Sequence, residues 1–270
     1  MPSYSYISPL SNLVNTAIKK AANSLNRDFY EIEKLQSSIK DYKEFVVNAY
    51  GKVERNLKKE LSAVKPDFPF FEEGKPAPQG VHFIVSPLDG LTNFSHGIAH
   101  FAVSVAVSDG ENIIIGAVYN PATDELFFAE KGKGAYKEGT RSNERLRVSA
   151  RKDLKGALIS SLVNYKKDVS EYSKIHDAII KSTDNVRVLG AVSLDLAYVA
   201  SGKLDAAISC NNNFKEIAAG ILIAKEAGGH VYGINQKNVR TEDLNDAING
   251  GNLVAVNSNL NKLVYNLINS

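Results

Sequence analysis

Ile84-Val85-Ser86-Pro87-Leu88-Asp89-Gly90-Leu91-Thr92-Asn93-Phe94 reads as a strand that turns through Pro-Leu-Asp-Gly into the start of a helix. Asp89 is left at the strand's end, where a carboxylate can point into a cleft. The backbone N–H groups of Gly90 and Leu91 would face an anion from the N-terminus of the new helix. Just upstream lies a second acidic turn, Phe71-Glu72-Glu73-Gly74. Far downstream, Ala218-Ala219-Gly220-Ile221-Leu222-Ile223-Ala224-Lys225-Glu226-Ala227-Gly228-Gly229 reads as a helix with a glycine end.

Around these three segments the chain alternates in period. Leu10, Leu13, Val14, Ala17 and Ala21 are spaced by threes and fours, as are Phe45, Ala49, Val53, Leu57 and Leu61 in a second helix over roughly 43–64. His82–Val85, Phe101–Val107, Asn112–Tyr119 and Glu125–Ala129 are short β-rich runs with turn residues between them, the last followed by a Gly-rich segment, 132–139. Spacing this short favours antiparallel hairpins. From about 157 strands and helices alternate: strand Ala157–Leu162, helix 169–182, strand Val186–Leu189, helix 192–201, strand Ala206–Ile208, helix 214–227, strand Asn252–Val256 and a final helix. The expected fold class is α/β: an antiparallel-sheet half over 1–150, then a mixed α/β half over 151–270, with a joint near 145–155.

Composition narrows the function classes. The 270 residues carry 32 Lys+Arg against 30 Asp+Glu, a net charge of +2. That leaves little net charge for a polybasic nucleic-acid surface, so no direct nucleic-acid partner is expected. One Cys (Cys210) excludes a disulfide framework and a Cys-rich zinc site, and suggests a reducing compartment. The N-terminus lacks the pattern of a signal peptide, and no apolar run reaches the ~20 residues of a membrane helix. The expected location is the cytoplasm, without membrane contact. The five His show no ligand spacing, and the glycine runs lack the P-loop and dinucleotide patterns.

The three key segments, in this order and at these distances, resemble the inositol monophosphatase family and its SuhB-like bacterial branch. Supporting runs include Gly97–Ser104, Gly116–Pro121, Asp124–Phe127, Gly134–Tyr136, Arg187–Gly190 and Val199–Ala206. The likeness covers roughly residues 8–265. It implies a layered α-β-α-β-α sandwich of the sugar-phosphatase type, commonly a homodimer, and a magnesium-dependent phosphomonoesterase. In active members a Glu of the first acidic turn, two Asp of a D-P-[LI]-D-G-T-T motif and an Asp in a Trp-Asp pair bind Mg²⁺. A Thr of the motif and the Glu orient the attacking water. Such chemistry needs dense carboxylates, because two or three Mg²⁺ ions are held in oxygen shells that activate the water and neutralise the phosphate.

Carried over by the resemblance, Glu72 and Asp89 match metal-binding carboxylates, the Leu88 carbonyl a backbone ligand, and Gly90, Leu91 and Thr92 the phosphate cradle. The remaining positions depart from the pattern. The bridging first Asp is Ser86, and the water-orienting Thr is Leu91. The Trp-Asp pair falls on Phe214-Lys215, consistent with a chain that has no Trp. The Glu that contacts substrate hydroxyls falls on Ser209, in an alignment that needs a one-residue gap, and a further acidic position falls on Tyr50. Other readings stay open: Glu72 and Glu73 as surface acids, Asp89 as a helix N-cap, Lys215 facing solvent or entering the old metal pocket to pair with Asp89 or Glu72.

Three functions follow from this pattern. The first is a family member whose Mg²⁺-dependent hydrolysis is lost or strongly reduced and which acts by binding. The second is an active inositol-phosphate or sugar-phosphate phosphatase with a rebuilt site, and the third a phosphate-ligand sensor. The partners implied are a phosphate-bearing small molecule and, by analogy with the SuhB-like branch, a protein of the transcription machinery.

Overall fold

The computed structural model describes residues 7–35, 39–163, 170–234, 240–241 and 252–269. Two long helices, α1 (Pro9–Leu35) and α2 (Ile39–Val64), form the outer layer. Val14, Ile18, Ala21 and Leu25 of α1 and Val53, Leu57 and Leu61 of α2 are fully buried, all in steps of three or four. That stripe covers one face of a six-stranded antiparallel sheet: β1 (His82–Asp89), β2 (Ala102–Ser108), β3 (Ile113–Asn120), β4 (Glu125–Glu130), β5 (Gly134–Lys137) and β6 (Glu144–Arg145), in chain order. A short helix, α3 (Leu91–Ser95), separates β1 from β2.

The second sheet comprises β7 (Leu158–Val163), β8 (Asn185–Arg187), β9 (Ala206–Cys210), β10 (His230–Ile234), β11 (Arg240–Thr241) and β12 (Leu253–Val256). Its order is β11-β10-β12-β9-β7-β8, with β7 parallel to β8 and β9 and the other pairs antiparallel. Helices α5 (Val192–Ala200) and α6 (Phe214–Glu226) lie between the sheets, and α4 (Ser170–Ser182) and α7 (Asn261–Ile268) cover the far face. The layers are therefore α-β-α-β-α, the sandwich expected. No helix among the described residues is long and apolar enough to cross a membrane.

The period-two alternation of the first sheet decides what each face meets. Phe83, Val85, Val103, Val105 and Val107 turn toward α1 and α2, while the smaller Ala102 and Ala106 turn with Ile84 toward α5 and α6. Small residues let the middle layer approach closely. At Gly116 an added Cβ would stand 2.7 Å from the Ala219 carbonyl oxygen, so β3 and α6 meet there backbone to backbone. At the other end of α6, the Glu226 carboxylate accepts hydrogen bonds from the N–H groups of Gly132 (2.8 Å) and Gly134 (2.9 Å).

Three local expectations need correction. The Gly-rich segment 132–139, read as punctuation, contains β5, a four-residue strand too short to show a period. The strand expected at Val186–Leu189 is Asn185–Arg187, and Val188 is already exposed. Strand β10 went unseen because it follows Gly228-Gly229 directly and carries Gly233. Residue 169 of the expected helix 169–182 lies outside the described residues.

Candidate active site

Pro87 has no N–H to give to the β1–β2 ladder, and the pairing slips there. Ser86 faces Ser104, but Asp89 faces Ala102, so three steps on β1 match two on β2. This bulge turns the end of β1 out of register and aims Asp89 toward α5. Gly90 follows at φ +80°, where an added Cβ would lie 2.9 Å from the His100 carbonyl oxygen and 3.1 Å from the Ala191 Cβ. Only glycine suits that conformation and that space. The corner is then tied down by Asn93, whose Nδ2 donates to the carbonyls of His100 (2.8 Å) and Leu189 (2.7 Å).

Asp89 is buried, and the Ser193 amide (2.7 Å) and hydroxyl (2.6 Å) both donate to its Oδ2. Loss of water, with the nearby Glu216 carboxylate adding to it, pushes Asp89 up to about 8 despite the two hydrogen bonds that favour its charge. The reading of Asp89 as a helix cap is overturned. The cap of α3 is Gly90, and the Asp89 carboxylate is spent on Ser193 at the start of α5.

A cavity of about 80 Å³ opens beside the bulge, lined among others by Tyr50, Glu73, Ser86, Leu88, Lys215 and Glu216. The structure thus brings Ser86, Leu88, Tyr50 and Lys215 together at one place. Burial, with the charges of Glu54, Glu216 and Glu73, raises the Tyr50 hydroxyl above its ordinary value. Leu91 and Thr92 are exposed on the first turn of α3, whose amides have no acceptor within the helix.

Other expected residues stand elsewhere. Glu72 does not line the cavity. It is exposed and paired with Lys75, which holds its carboxyl below the usual range. Glu73 is the acid of that turn at the cavity. Ser209 is buried outside the cavity lining, its hydroxyl donating to Asn212 Oδ1 at 2.8 Å. Lys215 lines the cavity, and its charge adds to that of Lys75 and Lys58 in lowering the Glu72 carboxyl; among the described residues no ion pair joins it to Asp89 or Glu72.

The carboxylate that opens α6 is one residue further on. Glu216 lines the cavity and its charge reaches Asp89. It also serves the helix end, accepting from the Asn213 amide at 3.4 Å in a capping box. Placing the acidic position of the helix start at Glu216 removes the one-residue gap that the Ser209 match required.

These donors can be tested against a divalent cation. Among the described residues no group of three or more His, Cys, Asp or Glu is placed to hold a metal ion. Of the expected ligands, Leu88 lines the cavity, together with Glu216; Asp89 does not line it, but its carboxyl is close enough to feel the Glu216 charge. Burial raises Asp89 most and the like charge of Glu216 adds to it; that second part is what a cation would relieve. Two carboxylates and a carbonyl suit one Mg²⁺ that keeps several waters. They do not suit two or three ions sharing bridging carboxylates.

Sequence reasoning missed four residues here. Glu216 and Glu73 each sit beside a residue that was singled out. Ser193 and Asp195 lie in Val192-Ser193-Leu194-Asp195-Leu196, where polar residues inside an apolar helix were the available signal. Asp195 is buried, accepts from the Ser160 hydroxyl at 2.6 Å, and stands 3.5 Å from His100 Nε2.

Comparison with known proteins agrees with this architecture. The model of the inositol monophosphatase family matches residues 7–269. An inositol-1-monophosphatase of Caulobacter vibrioides is 39% identical over 251 residues, covering 90% of this chain and 94% of the relative. The Nus factor SuhB of Vibrio cholerae is 35% identical, over 83% of this chain and 84% of its own length. The crystal structure of SuhB from Bartonella henselae superposes with a TM-score of 0.81 at 35% identity, covering 97% of this chain and 98% of that one. With the family model matched over residues 7–269 and the whole fold superposing on a SuhB structure, this chain belongs to the inositol monophosphatase family.

Proposed function

We propose that the protein binds a phosphate monoester at Gly90, Leu91 and Thr92, and holds one Mg²⁺ with Asp89, Glu216 and the Leu88 carbonyl. We further propose that its hydrolytic turnover is lost or strongly reduced, so that it acts by binding. One observation carries this reading. The cavity wall presents Ser86, and the exposed side chain at the helix start is Leu91, at the two positions where the family resemblance implies a bridging Asp and a water-orienting Thr.

A hydroxyl cannot bridge two dications as a carboxylate does, and Leu91 has no oxygen with which to hold a water. Mg²⁺, when bound, would neutralise charge on the phosphate oxygens. The chain's own part is to present first-turn amides to the phosphate and, through Ser193, to fix the Asp89 carboxyl at the end of β1. Relatives that carry the name Nus factor SuhB support a second reading, in which a protein of the transcription machinery is a partner. In this reading the protein is a cytoplasmic homodimer.

The test is Mg²⁺-dependent release of phosphate from inositol 1-phosphate. Wild type is expected to show none above a Glu216→Ala background, while Mg²⁺ with inorganic phosphate raises the melting temperature of wild type alone. Turnover that is clear in wild type and vanishes in Glu216→Ala would overturn the loss of catalysis. No thermal shift would overturn the binding site.

A further inference from the structure

His100 and Asp195 face each other behind the Gly90 corner without completing a hydrogen bond. His100 Nε2 stands 3.5 Å from Asp195 Oδ1, and both atoms are buried with no hydrogen-bond partner among the described residues. The other oxygen of Asp195 is satisfied, since Ser160 Oγ donates to Oδ2 at 2.6 Å. A buried polar atom left unpaired costs stability, so a pair that served only the fold would be closed.

Both residues are tied to the corner through the backbone. The His100 carbonyl accepts from Asn93 Nδ2 at 2.8 Å and lies 2.9 Å from where a Cβ on Gly90 would stand. Asp195 is in the first turn of α5, two residues after Ser193, which holds the Asp89 carboxyl. A change in the His100–Asp195 distance is therefore felt on both sides of Gly90.

The charged groups around the ring leave Asp195 as its partner. From α5 the ring meets Asp195 and the Tyr198 ring, the latter with centroids 5.6 Å apart. Glu125 of β4, whose charge reaches Tyr198, is already paired with Lys137 at 2.7 Å and Lys203 at 2.9 Å, and Lys203 also stands over the Tyr198 ring. Asp89 feels the Asp195 charge from the end of β1, and His96 is exposed. Among the described residues no Lys or Arg pairs with Asp195. Histidine is the side chain that takes up charge near physiological pH, and its protonated ring carries an N–H on both nitrogens. Charge-assisted N–H···O bonds measure about 2.7–2.9 Å, so protonation draws this pair together by about 0.7 Å.

We propose that His100 is a positioning residue for an anion at Gly90, Leu91 and Thr92: its protonated ring closes on Asp195, tightens the corner and makes anion binding stronger as pH falls. The proposal rests on the phosphate-binding reading above.

The test is NMR of the histidine rings and backbone amides of the full-length protein between pH 8 and pH 5, with sulfate as a probe whose charge stays constant over that range. Without ligand, the Leu91 and Asn93 amide shifts are expected to follow the His100 midpoint rather than that of His96. Asp195→Asn should lower the His100 midpoint by about one unit or more. Saturating sulfate should raise it in wild type by about half a unit, which by linkage is about threefold tighter binding to the protonated form. His100→Gln should match wild type in sulfate affinity at pH 8 and fall about threefold below it at pH 5. A midpoint that Asp195→Asn leaves in place overturns the proposal, as does sulfate that shifts the Leu91 and Thr92 amides but not the His100 midpoint. Sulfate that shifts neither overturns the phosphate-binding reading, and this proposal with it.

Discussion

Ser193 places its amide and its hydroxyl hydrogen on the same oxygen of Asp89, at 2.7 and 2.6 Å. The contact joins the end of β1 to the first turn of α5 across 104 residues of chain, and sets the edge of the phosphate corner against the middle layer. Two donors favour the charged carboxylate, yet burial beside Glu216 outweighs them.

Asp89 should therefore make stability depend on pH in an unusual direction. An unfolded Asp titrates near about 3.9, whereas the folded group is raised to about 8. Between those values the folded chain holds a proton that the unfolded chain does not. The stabilisation is fully present below the unfolded value and is lost as pH rises through the folded one. Urea unfolding of wild type, compared with Asp89→Asn, should lose on the order of a few kcal/mol between about pH 5 and pH 8. A wild-type-minus-variant difference that stays flat across that window would mean Asp89 is already ionised at the lower pH.

Glu216 and Lys215 should behave oppositely toward Mg²⁺. Glu216→Ala is expected to weaken Mg²⁺ by tenfold or more, about 1.4 kcal/mol, because it removes half of the carboxylate pair. Lys215→Ala should leave Mg²⁺ binding intact or strengthen it, by removing a positive charge from the cavity wall. Glu72→Ala, in an exposed turn, should change it less than twofold. Isothermal titration of the three variants settles the register of α6, and the reverse ranking of the first two would restore Lys215 to the carboxylate's place.

Gly116→Ala tests the middle layer without touching the site. The new methyl would meet the Ala219 backbone at 2.7 Å, which cannot yield as a flexible side chain would. A loss of about 1–3 kcal/mol is expected, read as a lower urea midpoint with an unchanged slope. An unaltered midpoint would show that β3 and α6 have room to separate.

Much of this fold was legible because its signals are local. The stripe Val53, Leu57 and Leu61 announces a helix packed on one side, and Ile84-Val85 running into Pro87 and Gly90 announces a strand and its corner. Each pattern is imposed by a period or by a residue with few backbone choices. The site was legible only in part, for a physical reason. Whether Glu72 or Glu73 faces the cavity depends on how one short turn is wound, and Lys75 draws Glu72 away into solvent. The choice between Lys215 and Glu216 depends on where α6 begins, which the Asn213 cap decides. Ser193 lies 104 residues from Asp89, so no local pattern in the chain connects them.

Helix α6 is held along its length by the Gly116–Ala219 contact and at its far end by the grip of Glu226 on Gly132 and Gly134. It is an axle seated in both sheets. A ligand arriving at Glu216 has no helix to push, since displacing α6 would break the close contacts of the whole middle layer. The exposed turn 72–75 beside it is tied, among the described residues, only by its own contacts, the Lys75 amide to the Glu72 carbonyl at 3.2 Å and the Glu72–Lys75 ion pair, so it can yield while the helix stays seated.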